Sequence, residues 1–181
     1  MAGARRVLVL GGQRSGKSRY AEDLAIASGR APIYLATATA GDGEMGERIA
    51  AHRARRGAPW LTVEEPLALG EAIAREAGDG FHVLVDCLTL WVSNLMAAGA
   101  DIDAATDRLC AALTESRGDV TLVSGEVGLG IVPDNALARR YADALGSVNQ
   151  RVAAIADRVV LVAAGLPLIL KSEPTLGEVS I

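Results

Sequence analysis

A glycine-rich run near the start of the chain constrains the fold more than any other feature. Residues 11–18 read GGQRSGKS, which matches G-x-x-x-x-G-K-[ST] directly after the apolar run Val7–Leu10. Glycines allow the backbone to wrap so that its N–H groups face phosphate oxygens, and a helix beginning at Lys17 adds its positive end. The motif therefore predicts a strand, a phosphate-binding loop and a helix, the alternative being a glycine-rich turn that matches by chance.

Each member of this loop is a predicted nucleotide contact. The Lys17 ammonium is expected to reach the β and γ phosphates, and the Ser18 hydroxyl is expected to bind Mg²⁺. A second metal-binding oxygen is expected from Asp86, the acid that ends the apolar run Val83–Asp86. The alternative is that Asp86 only caps the following helix. The predicted loop contacts are Gly11, Gly12, Gln13, Arg14, Ser15, Gly16, Lys17 and Ser18.

Short apolar runs alternate with helical stretches, which predicts an α/β fold with a mainly parallel sheet covered on both faces. The last two strands, joined by residues 165–167, are too close for a helical crossover and are expected to form a hairpin at one edge. The last helix is either one long helix or two, with Gly146 as the weak point. The predicted strands are Val7–Leu10, Ile33–Thr37, Thr62–Glu64, Val83–Asp86, Val120–Ser124, Val159–Ala163 and Leu168–Leu170, and the predicted helices are Lys17–Ser28, Glu44–Arg56, Pro66–Ala77, Leu88–Ala98, Asp101–Ser116 and Asp134–Asp157.

A basic segment with one histidine is the most unusual part of the sequence. On a helix, His52 lies near Arg48, Arg55 and Arg56, so three guanidinium groups surround one imidazole. Arginine suits phosphate because its planar fork donates two hydrogen bonds at once, and nearby positive charge favours the neutral, nucleophilic imidazole. The alternative is a solvated charged helix with an incidental histidine. The other histidine, His82, precedes a buried strand and is expected to be structural.

A second glycine-rich run follows the predicted strand Val120–Ser124. Ligands of open α/β sheets bind beyond the carboxyl ends of the strands, where this loop is expected to lie. We expect Glu126, Gly128 and Gly130 to form a substrate loop, in which the carboxylate positions a hydroxyl or a water molecule. The alternative is that this run is a flexible connection to the next helix. Tyr141 and residues 149–151 lie on that helix and could line the same cleft.

Composition argues against several classes of binding partner. The net charge of −4 provides no global attraction for nucleic acid or an anionic membrane, and no uncharged segment reaches membrane-spanning length. Two histidines and two scattered cysteines offer no zinc-binding pattern. We expect a single domain over residues 1–181, a cytoplasmic location without disulfides, and a disordered tail over residues 172–181.

These motifs together resemble the bifunctional adenosylcobinamide kinase and adenosylcobinamide-phosphate guanylyltransferase family of cobalamin biosynthesis. The resemblance covers roughly residues 7–171. It is carried by the runs GGQRSGKSRYAE, YLATATAGDGEM, RIAAHRARR, LVDCLTLWVSN, GEVGLGIVP, SVNQRVAAIAD and GLPLILK. The phosphate loop is shared by many families, whereas the His52 segment and GEVGLGIVP are far more specific.

The resemblance implies a P-loop, RecA-like three-layer sandwich that assembles as a homo-oligomer. ATP or GTP would phosphorylate adenosylcobinamide, and GTP, with Mg²⁺, would then donate GMP through a covalent intermediate on His52. Two other interpretations remain: a P-loop kinase for another small alcohol, and a non-catalytic nucleotide-sensing module. Besides residues 11–18, the resemblance implies nucleotide contacts at Ala36, Thr37, Ala38, Arg53, Ala54, Arg55, Arg56, Glu64 and Asp86.

Overall fold

The computed structural model describes residues 4–38 and 59–172 of the chain. The described strands form one seven-stranded sheet in the order β3-β2-β4-β5-β1-β6-β7. All neighbouring strands pair in parallel except β6 and β7, which form an antiparallel hairpin at one edge, as predicted. The strands are β1 Arg6–Gly11, β2 Ala31–Ala36, β3 Leu61–Glu64, β4 Phe81–Asp86, β5 Asp119–Gly125, β6 Arg158–Ala163 and β7 Leu166–Lys171.

Helices cover both faces of this sheet, so the described part of the chain has three layers. Alternate residues of a strand face opposite sides: Leu8 belongs to the larger apolar core and Val9 to the smaller one. The larger core holds Trp91, which is fully buried, and the smaller core includes Ala21 of the first helix. The described helices are α1 Lys17–Ala27, α2 Leu69–Glu76, α3 Leu88–Ala97, α4 Ile102–Glu115 and α5 Ala136–Ile155.

Two predicted boundaries were wrong, and one alternative left open by the sequence is settled. Helix α2 begins at Leu69 rather than Pro66, because the Glu65 carboxylate accepts the N–H groups of Leu67 and Ala68 at 3.0 and 2.8 Å. Gly146 does not divide α5, which is one helix. The hairpin turns at residues 164–165, so residues 166–167 belong to β7. The predicted helix Glu44–Arg56 and the tail beyond residue 172 lie outside the described residues.

The amino edge of the sheet holds a buried polar cluster around His82. The imidazole Nε2 lies 2.9 Å from Thr121 Oγ1, and its Nδ1 lies 3.9 Å from Asp119, which pairs with Arg30 at 3.1 Å. Burial lowers the pKa of His82 to about 4, although the nearby Asp119 carboxylate opposes that shift. A buried, neutral histidine far from the carboxyl edge fits the structural role predicted for it.

Candidate functional site

The predicted phosphate loop joins β1 to α1, and steric contacts with neighbouring residues constrain its backbone. A Cβ atom on Gly11 would lie 2.4 Å from Ser15 Oγ and 2.6 Å from the Val162 carbonyl oxygen, so the position has no room for a side chain. Gly16 has a φ of 97°, which favours glycine, and a Cβ there would lie 3.3 Å from Gly165 Cα. Gly11 and Gly16 therefore meet definite steric requirements.

Hydrogen bonds hold the loop to the rest of the sheet. The Gly165 N–H, in the β6–β7 turn, donates to the Ser15 carbonyl at 2.8 Å, and the Ser15 N–H donates to the Gly12 carbonyl at 3.3 Å. The exposed Lys17 ammonium donates to the Gly12 carbonyl at 3.1 Å, across the curve of the loop. Ser15 Oγ is buried and has no hydrogen-bond partner within the described ranges. The loop thus has a fixed backbone and presents Lys17 at its opening.

Asp86 ends β4 at the carboxyl edge of the sheet, and strand β5 separates β4 from β1 and its phosphate loop. Desolvation of the adjacent Cys87 thiol raises its pKa to about 11; the Asp86 carboxylate raises it further, whereas Lys17 lowers it. Lys17 and Asp86 both lie at the carboxyl edge of the sheet, Lys17 after β1 and Asp86 at the end of β4. The Asp86–Cys87 peptide bond is cis. Cys87, not Asp86, occupies the N-cap position of α3 and makes no side-chain cap, so the alternative that Asp86 caps this helix is not supported.

The carboxyl ends of three neighbouring strands align the other predicted contacts. Ala36 of β2 pairs in register with Glu64 of β3 on one side and with Asp86 of β4 on the other. Parallel pairing thus places three residues that are distant in sequence side by side at one edge. This edge is also where β1 enters the phosphate loop.

Thr37, which follows β2, is held by a network that the sequence did not reveal. Its fully buried hydroxyl donates to the Cys87 carbonyl at 2.7 Å and accepts the Cys87 N–H at 2.8 Å. The Asn94 amide donates to the carbonyls of Thr37 and Pro66 at 2.8 and 3.1 Å. Thr89, Ser93 and Asn94 are the polar positions on the mainly apolar helix α3, a pattern that signals polar partners without indicating which groups they contact.

The second glycine-rich loop leaves strand β5, the neighbour of the strand β1 that leads into the first loop. Gly125 pairs in register with Gly11, and the Glu126 N–H donates to the Gly11 carbonyl at 3.1 Å. The Gly125 N–H donates to Thr89 Oγ1 at 2.6 Å, while its carbonyl accepts from the Asn149 amide at 3.2 Å. The Glu126 carboxylate accepts the Gly128 N–H at 2.8 Å. The start of the loop is therefore fixed beside the phosphate loop.

The rest of this loop is open and apolar. Leu129, Ile131 and Val132 are 82%, 98% and 76% exposed. A Cβ atom on Gly130 would meet nothing within 4 Å, and neither Gly130 nor Gly128 has a positive φ. The internal geometry of the loop therefore does not require glycine at position 130, whereas a Cβ atom on Gly128 would lie 3.2 Å from Glu126 Oε1.

The helix that follows contributes only some of the residues predicted to line the cleft. Tyr141 OH donates to the Thr89 carbonyl at 3.1 Å, and Asn149 contacts the carboxyl end of β5, so both lie at this edge. Arg151 instead forms ion pairs with Asp103 and Asp107 on α4, where it ties two helices together. Tyr141 and Asn149 thus lie at the edge where the cleft was predicted, and their role in lining it stays a prediction, whereas Arg151 is engaged elsewhere.

The residues predicted for guanylyl transfer, His52, Arg53, Ala54, Arg55 and Arg56, lie outside the described residues and stay predictions. The predicted Mg²⁺ ligands can be tested for chemical fit. Ser18 is the second residue of α1 and the last residue of the loop motif, and no hydrogen bond or ion pair joins the Asp86 carboxylate, at the end of β4, to another described residue. A hydroxyl and one carboxylate suit Mg²⁺, which otherwise keeps water and phosphate ligands.

The sequence matches known proteins over nearly the whole chain. Residues 7–170 match the family described as cobinamide kinase / cobinamide phosphate guanyltransferase. The chain belongs to this family. It is 53% identical over 171 residues to the bifunctional adenosylcobalamin biosynthesis protein CobP of Pseudomonas aeruginosa, with 93% of this chain and 99% of that protein covered. It is also 42% identical over 182 residues to CobU of Salmonella typhimurium, with 91% and 99% covered.

The family assignment and the fold agree with each other. The RadB recombinase structure superposes with a TM-score of 0.52 at 15% identity, covering 88% of this chain and 74% of that one, which supports the RecA-like fold predicted from the resemblance. Among the described helices, none combines the length and apolar character needed to cross a bilayer.

Proposed function

We propose that the chain phosphorylates adenosylcobinamide with ATP or GTP and then transfers GMP from GTP to the product. The products of the second reaction are adenosylcobinamide-GDP and pyrophosphate. The observation that carries the proposal is the sterically constrained loop at residues 11–18, which includes Lys17, in a member of the cobinamide kinase family.

In the kinase step, the loop N–H groups and Lys17 bind the phosphates of the donor. The acceptor hydroxyl attacks the γ-phosphorus, the bond to the β-phosphate oxygen breaks, and the hydroxyl proton is lost to a base or to water. Lys17 neutralises the charge that develops on the leaving diphosphate. Ser18 and Asp86 would hold Mg²⁺, which supplies further charge neutralisation when bound.

In the transfer step, we assign the nucleophile to His52. A neutral imidazole nitrogen attacks the α-phosphorus of GTP and pyrophosphate leaves; the phosphate oxygen of the acceptor then attacks the phosphorus and releases the imidazole. Arg53, Arg55 and Arg56 would hold the triphosphate, since guanidinium groups bind phosphate through two hydrogen bonds. The support is the cluster of arginines around one histidine, together with the family assignment.

The remaining nucleotide contacts are proposed at residues 36–38 and at Glu64. The buried Thr37 network fixes the backbone that leads out of β2, and register places Ala36 and Glu64 beside Asp86. A site made of strand ends and held by buried hydrogen bonds is pre-organised, so little ordering is needed when the nucleotide binds.

We also propose that the enzyme is a cytoplasmic homo-oligomer. Strand β7 is an edge strand with every residue exposed, including Leu166, Leu168, Ile169 and Leu170 at 52–72% exposure. An exposed apolar edge strand is a site for pairing with another chain. Cys87 and Cys110 are free thiols, which suits a reducing compartment.

Mass spectrometry of the intact protein and of the corrinoid products can distinguish the two reactions. With GTP and Mg²⁺ but no corrinoid, the intact protein should gain one acid-labile GMP, and His52→Ala should abolish the gain. His82→Gln is the matched control because it removes the other histidine, and the adduct should persist. With adenosylcobinamide added, His52→Ala should still form adenosylcobinamide phosphate but not adenosylcobinamide-GDP. An adduct that survives His52→Ala would contradict the assigned nucleophile.

The kinase for another small alcohol and the nucleotide sensor are outcomes of the same assay. If adenosylcobinamide stimulates no turnover of ATP or GTP and receives no phosphate, the proposed acceptor is wrong. If GTP binds and no turnover occurs with any acceptor, the chain is a sensor.

A further inference from the structure

A groove of about 570 Å³ lies between α3 and the first turns of α5. Its wall on α3 includes Met96 and Ala97, and its wall on α5 includes Leu137, Ala138 and Tyr141. This volume is within the usual range for small-molecule sites, which are mostly apolar with a few polar groups. No element of the described chain fills it.

The groove lies on the carboxyl side of the sheet, the same side as the phosphate loop. Asn149 contacts Gly125 at the end of β5, and α5 then runs towards the amino end of β6. The part of α5 that precedes Asn149 is about 20 Å long and therefore extends beyond the carboxyl edge. The Tyr141–Thr89 hydrogen bond joins this extension to the start of α3.

The groove is continuous with the nucleotide site through a short series of contacts. Glu126 is bonded to Gly11 in the phosphate loop, Gly125 is bonded to Thr89, and Thr89 is bonded to Tyr141 in the groove wall. The exposed apolar loop that begins at Glu126 leads directly to Asn135, which also lines the groove. The wall of the groove and the phosphate loop are therefore linked by directly bonded residues on the same side of the sheet.

We propose that this groove binds the corrin macrocycle of the acceptor, and that its hydroxyl arm extends from there towards the γ-phosphate. The inference rests on the proposed function. A corrin is a broad, largely apolar ring bordered by amide side chains. Met96, Ala97 and Leu137 provide an apolar wall, while Ser93 and Asn135 can hydrogen-bond to amides.

Two properties of the walls suit such a ligand. Methionine adapts to an irregular apolar surface, and Leu137 is 62% exposed, so an apolar ligand would remove it from water. Tyr141 is anchored by its bond to Thr89, and burial raises the pKa of Tyr141 to about 12, so its hydroxyl stays protonated at neutral pH. The ring of Tyr141 is therefore a fixed part of the wall.

The test is Leu137→Glu, with Ile26→Glu as the matched control. Both residues are exposed leucine-sized side chains on helices, but Ile26 is on α1, which packs on the other face of the sheet. We expect Leu137→Glu to raise the KM for adenosylcobinamide in the kinase reaction by at least about tenfold. Ile26→Glu should leave this KM unchanged, and GMP adduct formation without corrinoid should be unchanged in both variants.

A second variant, Ala138→Trp, fills the groove without adding charge and should raise the same KM. An unchanged KM in both groove variants would overturn the proposal. Loss of the GMP adduct, or a smaller assembly by size-exclusion chromatography with light scattering, would overturn it in favour of a structural role or a contact with a second copy. Failure of the unsubstituted protein to phosphorylate adenosylcobinamide would instead contradict the proposed function.

Discussion

Two glycine-rich loops leave adjacent strands at the same level of the sheet, yet they are built in opposite ways. Gly11 and Gly125 are paired in register. The first loop is sterically constrained at two glycines, because Gly11 has no room for a Cβ atom and Gly16 has a positive φ. After Gly125 the chain opens outward, and Ile131 is 98% exposed.

The difference teaches that a glycine-rich pattern has two separate physical meanings. In the first loop, Gly11 and Gly16 satisfy steric demands set by the protein backbone, and the resulting curve suits a compact polyanion. In the second loop, Gly128 faces only the Glu126 side chain, Gly130 faces open space, and the exposed side chains are apolar. We infer that the first loop serves the phosphate donor and the second serves the bulky acceptor.

Among the variants that test the difference between the two loops, Lys17→Ala should have the largest effect, a loss of kinase turnover. Without the ammonium, the charge developing on the donor phosphates is not neutralised, so turnover should fall about 100- to 1000-fold. Lys171→Ala is the matched control, because Lys171 caps α5 by donating to the carbonyls of Ala153 and Ala154. Kinase rates with saturating corrinoid provide the measurement. A loss of less than tenfold for Lys17→Ala would break the assignment of the first loop to the donor.

Acid should destabilise the scaffold that both loops share. Because the folded pKa of His82 is about 4, against 6.5 as the ordinary value, the unfolded chain binds a proton that the folded chain does not. The free energy of unfolding therefore keeps the full contribution of neutral His82 above pH 6.5. It should decrease by on the order of 3 kcal/mol as the pH falls from 6.5 towards 4. Urea unfolding at several pH values measures it, and His82→Gln should show a flatter dependence. Equal slopes in the two proteins would contradict the prediction.

Gly11→Ala should damage the first loop more than Gly12→Ala. The added methyl group meets the Val162 carbonyl and Ser15 at position 11, whereas it meets nothing within 4 Å at position 12. We expect Gly11→Ala to lower the free energy of unfolding by about 1–3 kcal/mol and to weaken GTP binding. Gly12→Ala should change stability by no more than about 0.5 kcal/mol. Equal losses would mean that the two positions do not differ sterically.

The smallest effect on stability is expected for Ile131→Ser in the open loop. Because this side chain is 98% exposed, the free energy of unfolding should change by no more than about 0.5 kcal/mol. The KM for adenosylcobinamide should nevertheless rise, since an apolar contact with the acceptor is lost. A loss of stability above about 1 kcal/mol would show that Ile131 packs against protein, such as a second copy, instead of a substrate.

The sequence predicted those parts of the molecule that depend on local pattern. The phosphate loop, Asp86 at a strand end and the terminal hairpin all follow from short motifs and from apolar runs. The start of α2 was missed because the Glu65 side chain caps backbone groups, a competition that helix propensity does not contain.

The parts that were missed depend on how separate elements pack. Asn94 bridges the ends of two segments that lie far apart in sequence, and nothing in its own neighbourhood indicates that. The α3–α5 groove exists because α5 extends beyond the sheet, which requires the contact between Asn149 and Gly125. Arg151 was assigned to the cleft, but its position on α5 faces the acids of α4.

A crystal structure with Mg²⁺ and a non-hydrolysable GTP analogue tests the division of labour between the loops most directly. The account predicts that β- and γ-phosphate oxygens lie about 2.7–3.2 Å from the backbone N–H groups of residues 13–18 and from Lys17 Nζ. It also predicts that no phosphate contacts the loop after Gly125. Phosphates bound by the N–H groups of residues 126–130, with Lys17 unengaged, would contradict it.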